Sequence, residues 1–109
     1  MAEFEHVVIL VTVDGPETGE EIAEALLGQQ KAACVNIVPG VKSLFLWQGE
    51  PDSADESLLI IKTAASLVDD VVGIVRANHP YDVPEVIALP VVGGNQDYLK
   101  WIDSETGGV

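Results

Sequence analysis

Residues 33–48 limit what this chain can fold into more than any other stretch does. Segments 33–38 and 41–47 read as one long strand, interrupted only by Pro39-Gly40, a pair that suits a bulge or bend. Fully extended, the stretch would span roughly 50 Å at about 3.3 Å per residue. A domain of 109 residues is expected to be only about 35 Å across, from a radius of gyration near 13 Å. The strand therefore has to overhang the body of the protein. Its far end carries Leu44, Phe45, Leu46 and Trp47, and an exposed apolar ribbon of that kind is an aggregation hazard unless other copies pair with its edge. A closed homo-oligomer is the expected solution.

The remaining elements fall into place around this strand. Residues 6–13 form an almost unbroken apolar, β-branched run, as in a strand buried on both faces in the middle of a sheet. Asp14-Gly15-Pro16 breaks it. A first helix is expected from Thr18, with acids in its first turn and Ile22, Ala23, Leu26 and Leu27 at helical spacing, ending in Lys31. After the long strand, residues 49–55 are expected to turn the chain and 56–63 to form the third strand. Ser66 is the expected cap of a second helix that carries Val68, Val71, Val72 and Val75 toward the core. Residues 84–91 read as the fourth strand, 95–102 as a short final helix with Tyr98, Leu99 and Ile102 on one face, and Gly107-Gly108-Val109 as a frayed tail.

The order β-α-β-β-α-β plus a terminal helix predicts an α+β, ferredoxin-like split βαβ sandwich formed by one domain over residues 1–109. Right-handed crossovers insert the third strand antiparallel between the first and second, with the fourth on the other side of the first. Trp47, Glu56, His79 and Tyr81 then fall at one end of the sheet, and Cys34 and Lys62 at the other. A site that uses both Cys34 and His79 would need a neighbouring chain.

Charge narrows the function. Five basic against eighteen acidic residues give a formal charge of −13, and such a field repels nucleic acid and anionic lipid. No apolar run approaches the roughly 20 residues that span a bilayer. Met1-Ala2-Glu3-Phe4-Glu5 carries acids where a secretory signal needs bases, and Cys34 is the sole cysteine. A soluble, cytoplasmic protein with neither nucleic-acid nor membrane partners is expected, its acidity suited to a salty cytoplasm. Asp52-Ser53-Ala54-Asp55 lacks the central Gly and closing Glu of a calcium loop.

The chemistry concentrates in His79-Pro80-Tyr81-Asp82-Val83-Pro84-Glu85. Two prolines stiffen this backbone and push His79 and Val83 toward extended geometry, so an imidazole, a phenol and two carboxylates are displayed on a rigid segment. No nucleophile with a base and an orienting partner is visible, and no Gly-rich phosphate loop follows a strand. Gly93-Gly94-Asn95 reads only as a turn.

Five blocks stand in a familiar order: Ala32-Ala33-Cys34-Val35-Asn36; Pro39-Gly40 followed by Ser43-Leu44-Phe45-Leu46-Trp47-Gln48-Gly49; Glu56 with Lys62-Thr63; His79-Pro80-Tyr81 with Val83-Pro84-Glu85; and Tyr98-Leu99 with Trp101-Ile102. Together, over nearly the whole chain, they resemble the CutA family of divalent-cation tolerance proteins. The resemblance implies a homotrimer of ferredoxin-like subunits packed through long hairpins, similar in architecture to PII signalling proteins, and a role in metal-ion tolerance with copper binding in some members. In those members the ligands are a cysteine near the end of the first strand and two consecutive histidines before Pro-Tyr. The corresponding positions here are Val11 and Asn78-His79, so only His79 survives as a metal candidate, and a single imidazole makes no tight copper site.

The other candidates for an inter-subunit cleft are Cys34, Trp47, Glu56, Lys62, Tyr81 and Glu85. Lys62 ends an apolar run, where a lysine either snorkels to the surface or pairs with an acid such as Glu85 of another subunit. His79 follows a predicted helix, whose C-terminus favours a cation. Trp47 and Trp101 suit subunit contacts, and Cys34, with no base nearby in sequence, suits a core or interface. Three functions are compatible with these residues. The first is a trimeric metal-response protein with a divalent ion, copper or another, in clefts between subunits; the second, a PII-like small-molecule sensor in which Lys62 holds an anion. The third, an enzyme using His79 or Tyr81 for proton transfer, is not the expected one.

Overall fold

The computed structural model describes residues 4–107. A four-stranded antiparallel sheet carries the fold: β1 (His6–Val13), β2 (Cys34–Trp47), β3 (Glu50–Ala64) and β4 (Ile87–Pro90), in spatial order β2-β3-β1-β4. This is the expected order, with β3 antiparallel between β2 and β1. Helices α1 (Pro16–Gly28) and α2 (Val68–Asn78) pack on one face, and a terminal helix α3 (Gln96–Glu105) reaches back to the start of β1 through Asp103, which accepts from His6 Nε2 at 2.8 Å. Among the described residues, no helix is long and apolar enough to cross a membrane. Of the expected frayed tail, Gly108 and Val109 lie outside the described residues.

The core sits between the helices and the odd-numbered side of the central strands. Ile9, Val11 and Val13 from β1, Leu59 and Ile61 from β3, Ile22 and Leu26 from α1, and Val71 and Val75 from α2 are sealed from solvent. Gly19 lets α1 approach closely, since a Cβ there would lie 3.0 Å from the Leu59 side chain. The opposite face carries half-buried Val8, Leu10, Leu58 and Ile60, flanked by exposed Ile87 and Leu89 on the edge strand β4. Neither α1, which crosses from β1 to β2, nor α2, which crosses from β3 to β4, covers that side.

Several element boundaries differ from expectation, each for a local reason. α1 begins at Pro16, not Thr18, because a proline fits the first helical position, where its missing N–H is not needed. It ends at Gly28 in a Schellman turn: Gln30 takes φ 57°, its N–H reaches the Leu27 carbonyl, and the Lys31 N–H reaches that of Leu26. Lys31 therefore lies beyond the helix, and Leu27 is exposed rather than core-facing. Ser66 does not cap α2. It sits inside a 3₁₀ turn (Ala65–Leu67), and Leu67 occupies the cap position with no side-chain bond. β4 has four residues rather than eight, because only Val7 to Leu10 of β1 pair with it. Asn95 is the cap of α3 rather than its first residue, its Oδ1 accepting from the Asp97 N–H at 3.0 Å.

The largest correction concerns β3. Residues 50–55, expected to turn the chain, instead continue the strand, paired residue for residue with 42–47. The reversal is made by Gln48 and Gly49 alone, both at positive φ (52° and 82°). Two such residues form the primed type of turn whose twist matches a hairpin. The ribbon overhangs as its length requires, and the molecule measures 45 × 26 × 22 Å. Leu44 and Leu46 near its tip are 76% and 72% exposed.

Candidate functional site

Side chains reach the site through the bulge at Pro39-Gly40. Val38 pairs with Leu58 and Val41 with Glu56, so two β2 residues stand opposite one in β3. Gly40 supplies the required φ of 74°. Because alternation has a period of two, the extra residue exchanges the faces of everything beyond it. Ser43, Phe45 and Trp47 therefore share a face with Asp52 and Glu56, the face that also carries Thr12 of β1. The 79–85 segment leaves α2 on the helical side and rounds the end of β1 onto this face.

His79 holds that segment in place. As the C-cap residue of α2 it has extended backbone, and its ring is buried. Nε2 donates to the Thr12 carbonyl at 2.8 Å, and Nδ1 accepts from the Tyr81 N–H at 3.1 Å. Only the neutral imidazole protonated on Nε2 satisfies both bonds. The rings of His79 and Tyr81 stack tilted, 4.6 Å between centroids. Position and orientation agree with the reading that Val11 and His79 share one end of the sheet. Both ring nitrogens, however, are already engaged, and a metal would have to displace one of these partners.

Tyr81 is thereby aimed at Glu56. Its hydroxyl donates to Glu56 Oε2 at 2.9 Å, and Glu56 as a whole residue is only 8% exposed. Burial first, then the hydrogen bond and the charge of Glu56, with a smaller contribution from Asp14, push the Tyr81 phenol up to about 12. The pair stands in a groove of about 870 Å³ that also takes in Phe45, Trp47, Asp52 and Glu85.

Of the seven residues singled out in the sequence, Trp47, Glu56, Tyr81 and Glu85 line this groove and His79 buttresses it. Trp47 reaches it from the hairpin tip, six positions along β3 from Glu56, farther out than expected from a strand starting at 56. Cys34 and Lys62 do not join them. They face each other at the opposite end, cross-strand partners in the β2–β3 ladder, with Lys62 Nζ 3.8 Å from Cys34 Sγ and hydrogen-bonded to Asn36 Oδ1. Tyr98 of α3 lies beside them, its phenol raised by burial first and by the neighbouring Cys34 second. Sequence reasoning missed Phe45, Asp52, Asn36 and Tyr98 as neighbours of these sites. The predicted bulge, followed through as a change of phase in β2, would have found Phe45; Asp52 joins it only because residues 50–55 continue β3. Among the described residues, no group of three or more His, Cys, Asp or Glu side chains stands close enough to hold a metal ion within one subunit.

The family model described as CutA1 divalent ion tolerance protein matches residues 7–105. Protein CutA 1, chloroplastic, of Oryza sativa subsp. japonica is 50% identical over 100 residues, 92% of this chain and 56% of that protein, so this chain spans little more than half of that relative's length. The divalent-cation tolerance protein CutA of Thermus thermophilus is 46% identical over 100 residues, covering 92% of this chain and 97% of the relative. A solved structure of the divalent cation tolerance protein from Thermus thermophilus superposes with a TM-score of 0.91 at 45% identity, covering 94% of this chain and 99% of that one.

Proposed function

This chain belongs to the CutA1 divalent ion tolerance family, and we propose that it acts as a cytoplasmic homotrimer that takes up a divalent cation weakly, through oxygen ligands, at the Glu56–Tyr81 groove. One observation carries this reading: the carboxylate of Glu56, a residue nine-tenths buried overall, is held by a phenol at the head of an open groove that contains further carboxylates. Since one subunit assembles no cage of three ligands among the described residues, the ion completes its coordination with groups from a neighbouring subunit or with water. Oxygen donors favour hard cations over copper. Copper would draw on the soft sulfur of Cys34, which reaches this groove only from another chain.

The trimer is supported by what one subunit leaves exposed: the apolar face with Ile87 and Leu89, and the hairpin tip with Leu44 and Leu46. Glu56 and Lys62, six residues apart on one strand, are separated by about 20 Å. Head-to-tail contacts that bring one subunit's Lys62 toward the next subunit's acidic groove close into a ring. The sole cysteine, unpaired, suits a reducing cytoplasm. Catalysis is not part of this reading. A phenol that holds its proton up to about 12 and an imidazole with both nitrogens bonded are poor agents of proton transfer near neutral pH.

A second reading, a PII-like sensor of small anions, is favoured by Lys62, whose ammonium meets a thiol and an amide but no carboxylate among the described residues. Calorimetric titration of chelator-treated protein with Mn(II), Cu(II) and anaerobic Cu(I), alongside native mass measurement, separates the two. Saturable Mn(II) binding with Kd of about 10⁻⁴ M, lost in Glu56→Gln while three chains stay together, is expected. Copper binding lost in Cys34→Ser but retained in Glu56→Gln would refute the oxygen-donor site. Phosphate-dependent stabilisation lost in Lys62→Ala, without metal binding, would replace it by the anion sensor.

A further inference from the structure

Assembly multiplies the charge of this chain instead of cancelling it. The basic residues are Lys31, Lys42, Lys62, Arg76 and Lys100, against eighteen acids. Even if each of them met a carboxylate of a neighbouring subunit, the formal charge of −13 per chain would remain, and a trimer carries three times that charge. Within the subunit, Lys31 with Asp70, at 3.1 Å, is the only lysine or arginine paired with a carboxylate among the described residues.

The excess is not confined to surfaces that subunits bury. Glu17, Glu20, Glu21 and Glu24 of α1 are exposed. They form two acidic pairs four positions apart, in a helix without lysine or arginine, and like charges at that spacing repel. This helix packs on the face of the sheet opposite to the apolar one. Elsewhere, α3 sets Asp97, Asp103 and Glu105 against Lys100 alone, and the outer ribbon sets Glu50, Asp52, Asp55 and Glu56 against Lys42 alone. No basic end exists to neutralise an acidic one.

Two forces on assembly therefore answer differently to salt. Contacts through exposed Leu44, Leu46, Ile87 and Leu89 do not depend on screening, whereas the mutual repulsion of the subunits does. The two shorter dimensions of the subunit are 26 and 22 Å, which sets neighbouring centres about 25 Å apart for use in Coulomb's law. At 1 M salt the Debye length of about 3 Å abolishes repulsion over that distance, but at 0.1 M it is about 10 Å. Three such charges then lower the trimer association constant by about 10⁵-fold relative to 1 M salt.

We propose that ionic strength gates assembly, the chain closing into its trimer in concentrated monovalent salt and separating into single subunits in dilute salt. The gate is a diffuse screening atmosphere and uses no fixed ion site. It rests on the reading that the chain is a homotrimer and is independent of cation uptake at Glu56. Sedimentation velocity of the full chain at micromolar concentration, in KCl from about 0.05 to 2 M, tests it. Single chains at the low end and trimers at the high end are expected. Choline chloride should give the same midpoint, because screening depends on ionic strength and not on which monovalent cation supplies it. Glu20→Gln/Glu21→Gln/Glu24→Gln removes three of the thirteen excess charges from the helical side. Repulsion scales with the square of the charge, so the association constant at 0.1 M should rise about 100-fold and the midpoint should move to lower salt. Trimers at every salt concentration would overturn the gate and leave the trimer standing. Single chains throughout would overturn both. An unmoved midpoint in the triple variant, or assembly in KCl but not in choline chloride, would replace screening by another salt effect and overturn the proposal.

Discussion

Replacing Tyr81 by Phe keeps the ring against His79 and removes only the hydroxyl that Glu56 Oε2 accepts at 2.9 Å. Hydrogen bonds to charged groups contribute roughly 1.5–3 kcal/mol, and here the bereaved partner is the carboxylate of Glu56, a residue only 8% exposed overall. Tyr81→Phe should therefore cost about 2 kcal/mol, a fall in Tm of roughly 10 °C at fixed protein concentration. Glu56→Gln keeps an acceptor but removes the charge, so a double-mutant cycle should give a coupling of about 1 kcal/mol. Titration gives an independent readout. In a Tyr98→Phe background, Tyr81 is the only tyrosine left, and its phenolate absorbance should rise with a midpoint of about 12. In Glu56→Gln the midpoint should fall toward 10.0 without reaching it, because burial, the largest cause, remains along with Asp14. The sign of the linked stability follows: a phenol raised in the folded state stabilises fully below 10.0 and loses that contribution as pH rises through about 12. Solvent screening keeps the loss small, since Tyr81 is 37% exposed. An unchanged midpoint in Glu56→Gln together with zero coupling would refute the reasoning.

Three further perturbations test the frame that positions this pair. His79→Ala strips the Thr12 carbonyl and the Tyr81 N–H of their partners and should cost about 1–3 kcal/mol in urea unfolding; a loss below about 0.5 kcal/mol would show that the imidazole does not hold the segment. Gly40→Ala meets no atom within 4 Å but forces φ 74° on a residue with a Cβ, so thermal unfolding should report a loss of about 1–2 kcal/mol from backbone strain alone. Gln48→Asn places a residue suited to positive φ before Gly49 and should raise stability by about 0.5 kcal/mol; a lower Tm would contradict the primed-turn assignment.

How much of this was legible depended on whether a segment's signal was local. Residues 6–13 are apolar on both faces, and a central strand is the environment that accepts them; β1 matches to the residue. The overhang follows from length alone. Residues 50–55 were illegible because Glu50, Pro51, Asp52, Ser53 and Asp55 carry turn-forming and charged chemistry, and they are extended only because Val41 to Trp47 pair with them. Ser66 looked like a cap because hydroxyls satisfy first-turn N–H groups, yet the chain enters α2 through a 3₁₀ turn that places Leu67 there instead. In the site, the stiffness of 79–85 was visible from its prolines. The contact of His79 with the Thr12 carbonyl was not, since it joins groups 67 positions apart and a backbone acceptor leaves no trace in residue type.

The bulge at Pro39-Gly40 also sets how this hairpin can change over generations. It works as a joint between two independently phased ribbons: the inner one answers to the core, and the outer one, from Val41 to the turn and back to Glu56, is free of that constraint. Lengthening or shortening the outer ribbon by one residue in each arm moves the turn but leaves every inner pairing intact. Losing one residue at the joint keeps the length nearly unchanged yet turns Phe45 and Trp47 away from Glu56 and brings Leu44 and Leu46 round in their place. Descendants of this chain can therefore vary the reach of the hairpin cheaply, whereas a single-codon deletion at the joint would dismantle the groove while leaving the core untouched.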